Sequence, residues 1–234
     1  MLSSKEAVLF LEKVEAKELL IRATQYFAFL IHALLKNSKY QDLTKKSQKI
    51  SGNLSIVRKV LRFGMPLGVF LNIRHRFLTK TNKPLKLLGD MLSLLFYFSD
   101  HLLYFYRVRL LTLKKDSTSM QIIDVIRNLA WVSFLLAKIA DSTVDIHKVQ
   151  KKILKLAINE NRNYLNTDAN ERFAKLLHQS DVLVLGIISD VLDIPVALYF
   201  LDPSKINPVL VGTFGVLSSI VHIYKMLIKH RQIN

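Results

Sequence analysis

Apolar residues recur along most of this chain at the spacing of one face of an α-helix. No stretch alternates apolar and polar residues with the period of two that marks a half-buried strand. Residues 4–35 carry the first helical pattern, with Ser4 as its N-cap. Residues 36–52, rich in Lys, Ser and Asn, interrupt the pattern and are predicted to form a solvated connector. The pattern predicts an all-α fold.

Residues 54–77 carry a basic face and an apolar face. On a helical wheel Arg58, Lys59 and Arg62 fall within an arc of about 100°. The opposite face holds Ile56, Val57, Val60, Leu61, Phe63, Leu67 and Leu71. Pro66 is expected to kink the helix. This pattern is typical of a helix that inserts into a membrane interface, and the alternative is a surface helix whose basic face meets water.

The central part of the chain predicts further helices. Residues 85–113 are strongly apolar, but Asp90 and Asp100 would be costly in lipid, so this helix is packed in a bundle or is a poor span. Residues 121–147 continue with helical spacing. Residues 148–178 are charged throughout and predict a solvent-facing helical hairpin.

The last two apolar runs are residues 180–201 and 208–228. The second is 21 residues long, which as a helix rises about 31 Å, close to the thickness of a bilayer core. It carries small residues that let a neighbouring helix approach closely in lipid, namely Gly212, Gly215, Ser218 and Ser219. We therefore predict a membrane-associated helical bundle with long amphipathic helices and a C-terminal apolar hairpin. The alternative for the last run is a buried helix of a soluble all-α core.

Composition limits the number of spans and the cellular compartment. Half of the 234 residues are apolar, but a mean hydropathy of +0.24 is too low for a chain made mostly of membrane spans. The absence of cysteine excludes disulfides, cysteine zinc sites, prenylation and palmitoylation. The first 20 residues have charges every few positions and no signal-peptide hydrophobic core, so classical secretion is not expected.

The net charge of +16 is concentrated in one segment. Residues 36–86 hold thirteen Lys or Arg and a single acid, Asp42. Such a block faces either nucleic acid or anionic lipid. The basic residues of 54–77 alternate with large aliphatic residues, whereas a DNA-reading helix would need Asn, Gln or Ser at base edges. We therefore expect an anionic lipid membrane as partner and no nucleic acid.

Catalytic signatures are not found in the sequence. It has no GxxxxGK[ST], GxGxxG, HExxH or GxSxG motif. Asp141, Asp145 and His147 are potential metal ligands, but acids four residues apart are typical of a solvated helix face. Asp190 and Asp193 fit either a proton relay or the polar seam of a bundle. We expect no catalytic, cofactor or metal site, and predict that the protein is not an enzyme.

Four segments together resemble the peroxin-eleven family of peroxisomal membrane proteins. They are KVEAKELLIRATQY (13–26), SIVRKVLRFG (55–64), FYFSDHLLYFYRVRLL (96–111) and PSKINPVLVGTFGVLSSIVHIYKM (203–226). Their order and register match the family over nearly the full length. Pro66 departs from the family pattern by interrupting the helix, and the ending RQIN lacks the dilysine seen in some members.

The resemblance implies a location in the membrane of a peroxisome or of a glycosome-type peroxisome, with both termini in the cytosol. It also implies self-association, with itself or with paralogues, and engagement of dynamin-type fission machinery. An amphipathic helix of the family inserts into the outer leaflet and elongates the membrane before fission, and residues 54–77 match its position.

We therefore predict a single domain over residues 1–234, in three parts: 1–84, 85–178 and 179–234. Residues 54–77 would remodel the membrane, and residues 208–228 would anchor the chain. One alternative is a metabolite or ion pore whose path is lined by Asp90, Asp100, Asp190 and Asp193. The other is a soluble helical nucleic-acid binder.

Overall fold

The computed structural model describes residues 12–79, 83–111, 118–160 and 167–231, and within these ranges it contains helices and no strand. The all-α prediction is confirmed. The helices are α1 (Val14–Leu35), α2 (Gln41–Leu61), α3 (Met65–Leu78), α4 (Pro84–Arg107), α5 (Thr118–Glu160), α6 (Thr167–Leu201) and α7 (Pro208–Arg231).

The helices form a ring. Consecutive helices pack as hairpins: α1 on α2, α4 on α5, α5 on α6, and α6 on α7. Helix α7 then packs on α1, which joins the two ends of the sequence, and a smaller contact between α2 and α4 closes the circle. Helix α3 packs on α4. This order brings one face of each ring helix to a common interior.

The prediction of a solvated connector over residues 36–52 is wrong, because α2 already begins at Gln41. Its small polar residues pack against α1 instead of facing water. Thr44 is buried, and its hydroxyl donates to the Leu35 carbonyl oxygen at 3.1 Å. Ser47 and Ser51 are buried as well. Residues that are common in loops serve here in a close helix contact.

Residues 54–77 form two helices instead of one kinked helix. Helix α2 ends at Leu61, and α3 begins at Met65 with Pro66 in its first turn. The proline ring has no N–H and would clash with the carbonyl four residues earlier, that of Arg62. The chain therefore turns between the two helices, and Gly64 is the residue before α3.

Helices α5 and α6 are longer than the sequence pattern indicated. They span 43 and 35 residues, so the predicted separate segments 121–147, 148–178 and 180–201 belong to two continuous helices. Pro195 lies inside α6. The sequence predicts the turn of this hairpin at NTDANE, residues 166–171, but α6 already begins at Thr167, and only residue 166 of that segment lies outside the described residues.

Three helices are long and apolar enough to cross a membrane: Val14–Leu35, Asn170–Leu201 and Pro208–Lys229. The last includes the predicted anchor, residues 208–228. The first was expected to be an amphipathic helix, not a span. Among the described residues, the apolar stretch of α4 is not one of the three, in agreement with its two aspartates.

Candidate functional site

The outer surface of α3 and of the end of α2 carries many exposed apolar side chains. Of the residues predicted to insert into the membrane, Val57, Val60, Phe63, Leu67 and Leu71 are exposed, and Ile56 and Leu61 are half-buried. Helix α3 adds Phe70, Phe77 and Leu78 to this exposed set. Large exposed apolar patches on one side of a protein mark contacts with lipid or protein.

Helix α3 packs on α4 with one half-buried face, which includes Val69 and Ile73. None of its residues is buried. At its start, the neighbouring Phe63 ring stacks edge-on against His101 of α4, with ring centroids 4.7 Å apart. Near its end, Arg76 pairs with Asp90 of α4 at 3.0 Å. The opposite face of α3 is exposed, and Leu67 on that face has 64% of its surface exposed.

The basic residues of the same segment point inward. Arg58 and Lys59 are buried, and the Arg62 side chain is only 13% exposed. Arg58 donates to Glu18 and to Gln25 of α1, both at 2.8 Å. The structure thus differs from the expectation that these side chains meet lipid headgroups or water: the basic face lies inside the ring and the apolar face outside.

A second set of ion pairs surrounds Asp100 of α4. Lys59 pairs with it directly, and Arg62 and Arg127 lie 3.5 Å and 3.7 Å from its carboxylate oxygens. Burial lowers the pKa of Lys59 to about 8 despite this contact. Burial alone would raise the pKa of Asp100, but Arg62, Lys59 and Arg127 outweigh it and hold the pKa of Asp100 below its usual value. Asp100 therefore remains a carboxylate.

The other end of the interior holds two further pairs. Arg22 of α1 pairs with Asp193 of α6 and donates to the Ser218 hydroxyl of α7 at 3.1 Å. Lys138 of α5 pairs with Asp190 of α6 at 2.6 Å. Two of the three helices that could cross a membrane, α1 and α6, therefore carry paired charges in the interior, and α7 joins them through a serine hydroxyl. This agrees with the rule that intramembrane charges face a bundle interior and pair.

These groups line a cavity of about 440 Å³. Every ring helix contributes to it, and its aromatic wall comes from Tyr26, Phe96, Tyr97, Trp131, Phe134 and Phe200. Of the acids proposed for a pore, Asp100, Asp190 and Asp193 line this cavity, while Asp90 is engaged with Arg76 elsewhere. Each of the four has a cationic partner.

The small residues of α7 lie against α1. A Cβ atom on Gly212 would lie 2.8 Å from the Leu30 Cα atom, and one on Gly215 would overlap the Tyr26 ring. Ser218 and Ser219 are fully buried. The structure therefore brings the predicted packing face into a contact within the chain, where it allows α1 and α7 to approach closely.

Several interior residues were not singled out from the sequence. Helix α1 supplies Glu18, Arg22 and Gln25, which lie at i, i+4 and i+7 on one face. Helix α5 supplies Arg127 and Lys138, which are eleven residues, or three turns, apart. The sequence pattern that could have identified these interior residues is a short polar stripe on an otherwise apolar helix. Within the described ranges, no group of three or more His, Cys, Asp or Glu could hold a metal ion.

Apolar outer faces, spans of bilayer length and a paired charged interior define an α-helical membrane protein. The model of the family Peroxisomal biogenesis factor 11 (PEX11) matches residues 4–227. The chain belongs to this family, as the resemblance predicted, and is a peroxisomal membrane protein of the peroxin-11 type.

Curated relatives match over nearly their whole length. Peroxisomal membrane protein 11C of Arabidopsis thaliana is 28% identical, over 95% of this chain and 92% of the relative. Peroxisomal membrane protein 11-5 of Oryza sativa subsp. japonica is 26% identical, over 94% and 91%. Peroxisomal membrane protein 11D of Arabidopsis thaliana is 28% identical, over 94% and 90%. No solved structure matches.

Proposed function

We propose that the protein remodels and elongates the peroxisomal membrane for proliferation and fission by inserting the apolar stripe of α3 and the end of α2 into the outer leaflet. The observation that supports this is the exposed row of apolar side chains on a helix without a buried residue, namely Leu67, Phe70, Leu71, Phe77 and Leu78. Moving five half-exposed side chains into acyl chains would contribute on the order of 5 kcal/mol, at roughly 1 kcal/mol each.

In this mechanism Arg58, Lys59 and Arg62 hold the wedge to the bundle. Their ion pairs with Glu18 and Asp100 fix the end of α2, so that a force on α3 is transmitted to the ring. Headgroup contacts come from exposed cations on the wedge itself, such as Arg74 of α3. Each contributes about 1 kcal/mol on an anionic surface.

Triple substitution of Leu67, Leu71 and Phe77 by Ser tests the wedge. We expect the purified full-length variant, reconstituted into anionic vesicles, to lose most of its tubulation, because the apolar area available for insertion falls. Electron microscopy of vesicle shape is the measurement. The matched control changes Leu154 and Ile158 of α5 to Ser, since both are 61% exposed and lie outside the stripe. Tubulation by the triple variant at the wild-type level would contradict the wedge.

Self-association and engagement of dynamin-type machinery complete the proposal, and the family membership supports both. Two differently tagged copies of the chain should co-purify from detergent-solubilised peroxisomal membranes. Because the α7 small residues are used within the chain, the contact between copies would involve other surfaces.

A pore is the second candidate function, because polar or charged residues from every ring helix line one cavity. Solute flux across vesicles that contain the protein tests it. A wedge needs no flux, so flux that survives the triple Ser variant would separate the two activities.

A further inference from the structure

The ring has one weak joint, between α2 and α4, which we call the seam. Among the described residues, the contact between these two helices is much the smallest of the six that close the ring. It joins the end of α2 to the middle of α4. Lys59 and Arg62 pair with Asp100, and the Phe63 ring stacks edge-on against His101. Separating the helices at the seam would therefore break fewer contacts than at any other joint of the ring.

The seam lies between an apolar outer surface and a charged interior. On the outside, Val60 and Phe63 at the end of α2 are exposed, and so is Leu95 on α4. On the inside, Arg62 and Asp100 line the cavity. In a bilayer, acyl chains would cover the outer side. A polar cavity thus lies directly behind a joint that faces lipid.

The cavity behind the seam carries no net charge. Its described lining holds six cations and five carboxylates, one of which is Glu15. Asp124 completes the balance by pairing with Arg127 at 2.8 Å. A guest with a full net charge would leave one buried charge without compensation, whereas a zwitterion would not. The interior therefore favours a polar group that carries one positive and one negative charge.

The lining beside the seam suits both halves of such a group. Arg62 reaches Asp100 only at 3.5 Å, and guanidinium groups bind phosphate oxygens well. The rings of Phe96 and Trp131 also line the cavity, with centroids 5.8 Å apart. Aromatic faces attract ammonium and quaternary ammonium groups, and the Arg62 guanidinium already lies 5.8 Å from the centre of the Phe96 ring. The two halves match the phosphodiester and the amine of a zwitterionic phospholipid headgroup.

The cavity also has room for a headgroup. Its volume of about 440 Å³ is many times the share of one water molecule, about 30 Å³. In a plain bilayer a headgroup that crosses between the leaflets must enter the hydrocarbon without polar partners, which is the costly step. The paired charges of the interior would supply such partners along part of the path.

We propose that the protein moves zwitterionic phospholipids between the two leaflets. The headgroup passes through the cavity by way of the seam, while the acyl chains stay in the bilayer. Elongation of a membrane needs lipid in both leaflets, so this activity would serve membrane remodelling without depending on the wedge. It differs from a pore because no solute crosses.

Albumin extraction of a fluorescent phosphatidylcholine tests this activity. The purified full-length protein is reconstituted into phosphatidylcholine vesicles that carry a trace of a short-chain fluorescent phosphatidylcholine in both leaflets. Albumin removes this lipid from the outer leaflet only, and it is too large to enter through a pore. We expect albumin to extract only the outer-leaflet label from protein-free vesicles and nearly all of the label from vesicles that contain the protein.

A covalent lock on the seam tests the route. The chain contains no cysteine, so Phe63→Cys combined with His101→Cys gives a short bis-maleimide crosslinker one pair of thiols. We expect crosslinking to return extraction to the level of protein-free vesicles. The matched control is the same double variant treated with N-ethylmaleimide, which modifies both thiols without joining the helices. It should extract at least as fast as the wild type, because the seam has lost its ring contact. Since both samples are the same chain, the comparison separates lost activity from misfolding.

Substitutions identify the residues that meet the headgroup. Arg62→Gln and Phe96→Leu should each slow the extraction of inner-leaflet lipid tenfold or more. The matched controls are Lys46→Gln, at an exposed cation of α2, and Phe27→Leu, at a ring exposed on α1. Both controls should extract at the wild-type rate.

Three results would overturn the proposal. They are extraction that is no greater with the protein than without it, crosslinked protein that extracts like its control, and equal rates for Phe96→Leu and Phe27→Leu. Tubulation without additional extraction would contradict lipid movement and leave the wedge intact. Complete extraction by a protein that does not tubulate vesicles would contradict the wedge alone.

Discussion

Asp100 forms ion pairs with more interior cations than any other described residue. Lys59, Arg62 and Arg127 all lie within ion-pair distance of its carboxylate. Removing one partner of a buried charge cluster leaves the others uncompensated, which costs about 3–5 kcal/mol. We therefore expect Asp100→Asn to lower the free energy of unfolding by that amount, measured by denaturant unfolding in detergent.

The control for this change is Asp42→Asn. Asp42 pairs with Lys46 on the surface at 2.7 Å, with both side chains more than two-thirds exposed. Pairs of this kind contribute about 0.3–0.5 kcal/mol. Equal effects of the two substitutions would show that the interior cations do not depend on Asp100.

The lowered pKa of Lys59 predicts that the free energy of unfolding of the protein changes at alkaline pH. Burial lowers its pKa from 10.5 to about 8 in the folded protein. Between pH 8 and 10.5 the unfolded chain binds the proton and the folded chain does not, so this residue's contribution to stability increases with pH across that window. The increase is up to about 3 kcal/mol.

Comparison with Lys59→Met isolates this contribution, because the variant keeps the length and apolar stem of the side chain. The free energy of unfolding of the wild type should rise relative to that of the variant from about pH 8 to pH 10. Curves that stay parallel over this range would mean that Lys59 keeps its proton when buried.

At the scale of elements, the contact between α1 and α7 joins the two ends of the sequence. Gly212→Ala would bring a Cβ atom to 2.8 Å from the Leu30 backbone, so the helices must separate. Overpacking of this kind costs about 1–3 kcal/mol. We expect a lower Tm for Gly212→Ala in detergent.

Gly52→Ala is the matched control, since Gly52 lies in α2 and a Cβ atom added to it would meet nothing within 4 Å. There the better helix propensity of alanine should stabilise the protein by about 1 kcal/mol. A Gly212→Ala protein as stable as the wild type would contradict the close approach of α1 and α7.

The sequence was sufficient to predict the helices but not their orientation. Periodicity correctly separated the basic residues Arg58, Lys59 and Arg62 from the apolar residues of the same segment. It did not reveal which face points inward, because that depends on partners distant in sequence, here Glu18 and Asp100. In a water-soluble bundle the apolar face would be buried, and in this protein the charged face is.

The predicted helix boundaries were wrong for a related reason. The start of α2 was missed because Thr44, Ser47 and Ser51 have the composition of a loop, while in the structure they are buried. Such residues allow close helix packing, and only the presence of α1 beside them reveals this. The length and apolar character of α7, in contrast, depend on local sequence alone, and the predicted span over residues 208–228 agrees with the helix found.

At the scale of the whole molecule, the packing order constrains the membrane topology. Helices α1 and α7 are antiparallel, since Leu30 lies by Gly212 and Arg22 bonds to Ser218. If α7 crosses the membrane, α1 lies at the same depth. Helix α2 is also antiparallel to α1, because His32 contacts Thr44 while Glu18 contacts Arg58. The hairpins α1–α2 and α6–α7 thus lie side by side.

Two such hairpins place both chain ends on one side and both hairpin loops on the other. We expect both termini in the cytosol and the loops near Asn37 and Ser204 in the peroxisomal lumen. The chain contains no cysteine, so single introduced cysteines report topology without background. Ser204→Cys and Asn37→Cys, both at exposed positions, should resist a membrane-impermeant maleimide in intact peroxisomes and react after detergent is added.

A cysteine appended to either terminus is the positive control and should react in intact organelles. Labelling of only one terminus would require an odd number of crossings, which contradicts the antiparallel packing of α1 and α7. Labelling of Asn37→Cys but not of Ser204→Cys would leave the α6–α7 hairpin as the anchor and place the α1–α2 hairpin on the cytosolic surface. That arrangement would break the α1–α7 contact, so it would also predict that Gly212→Ala has no effect on stability.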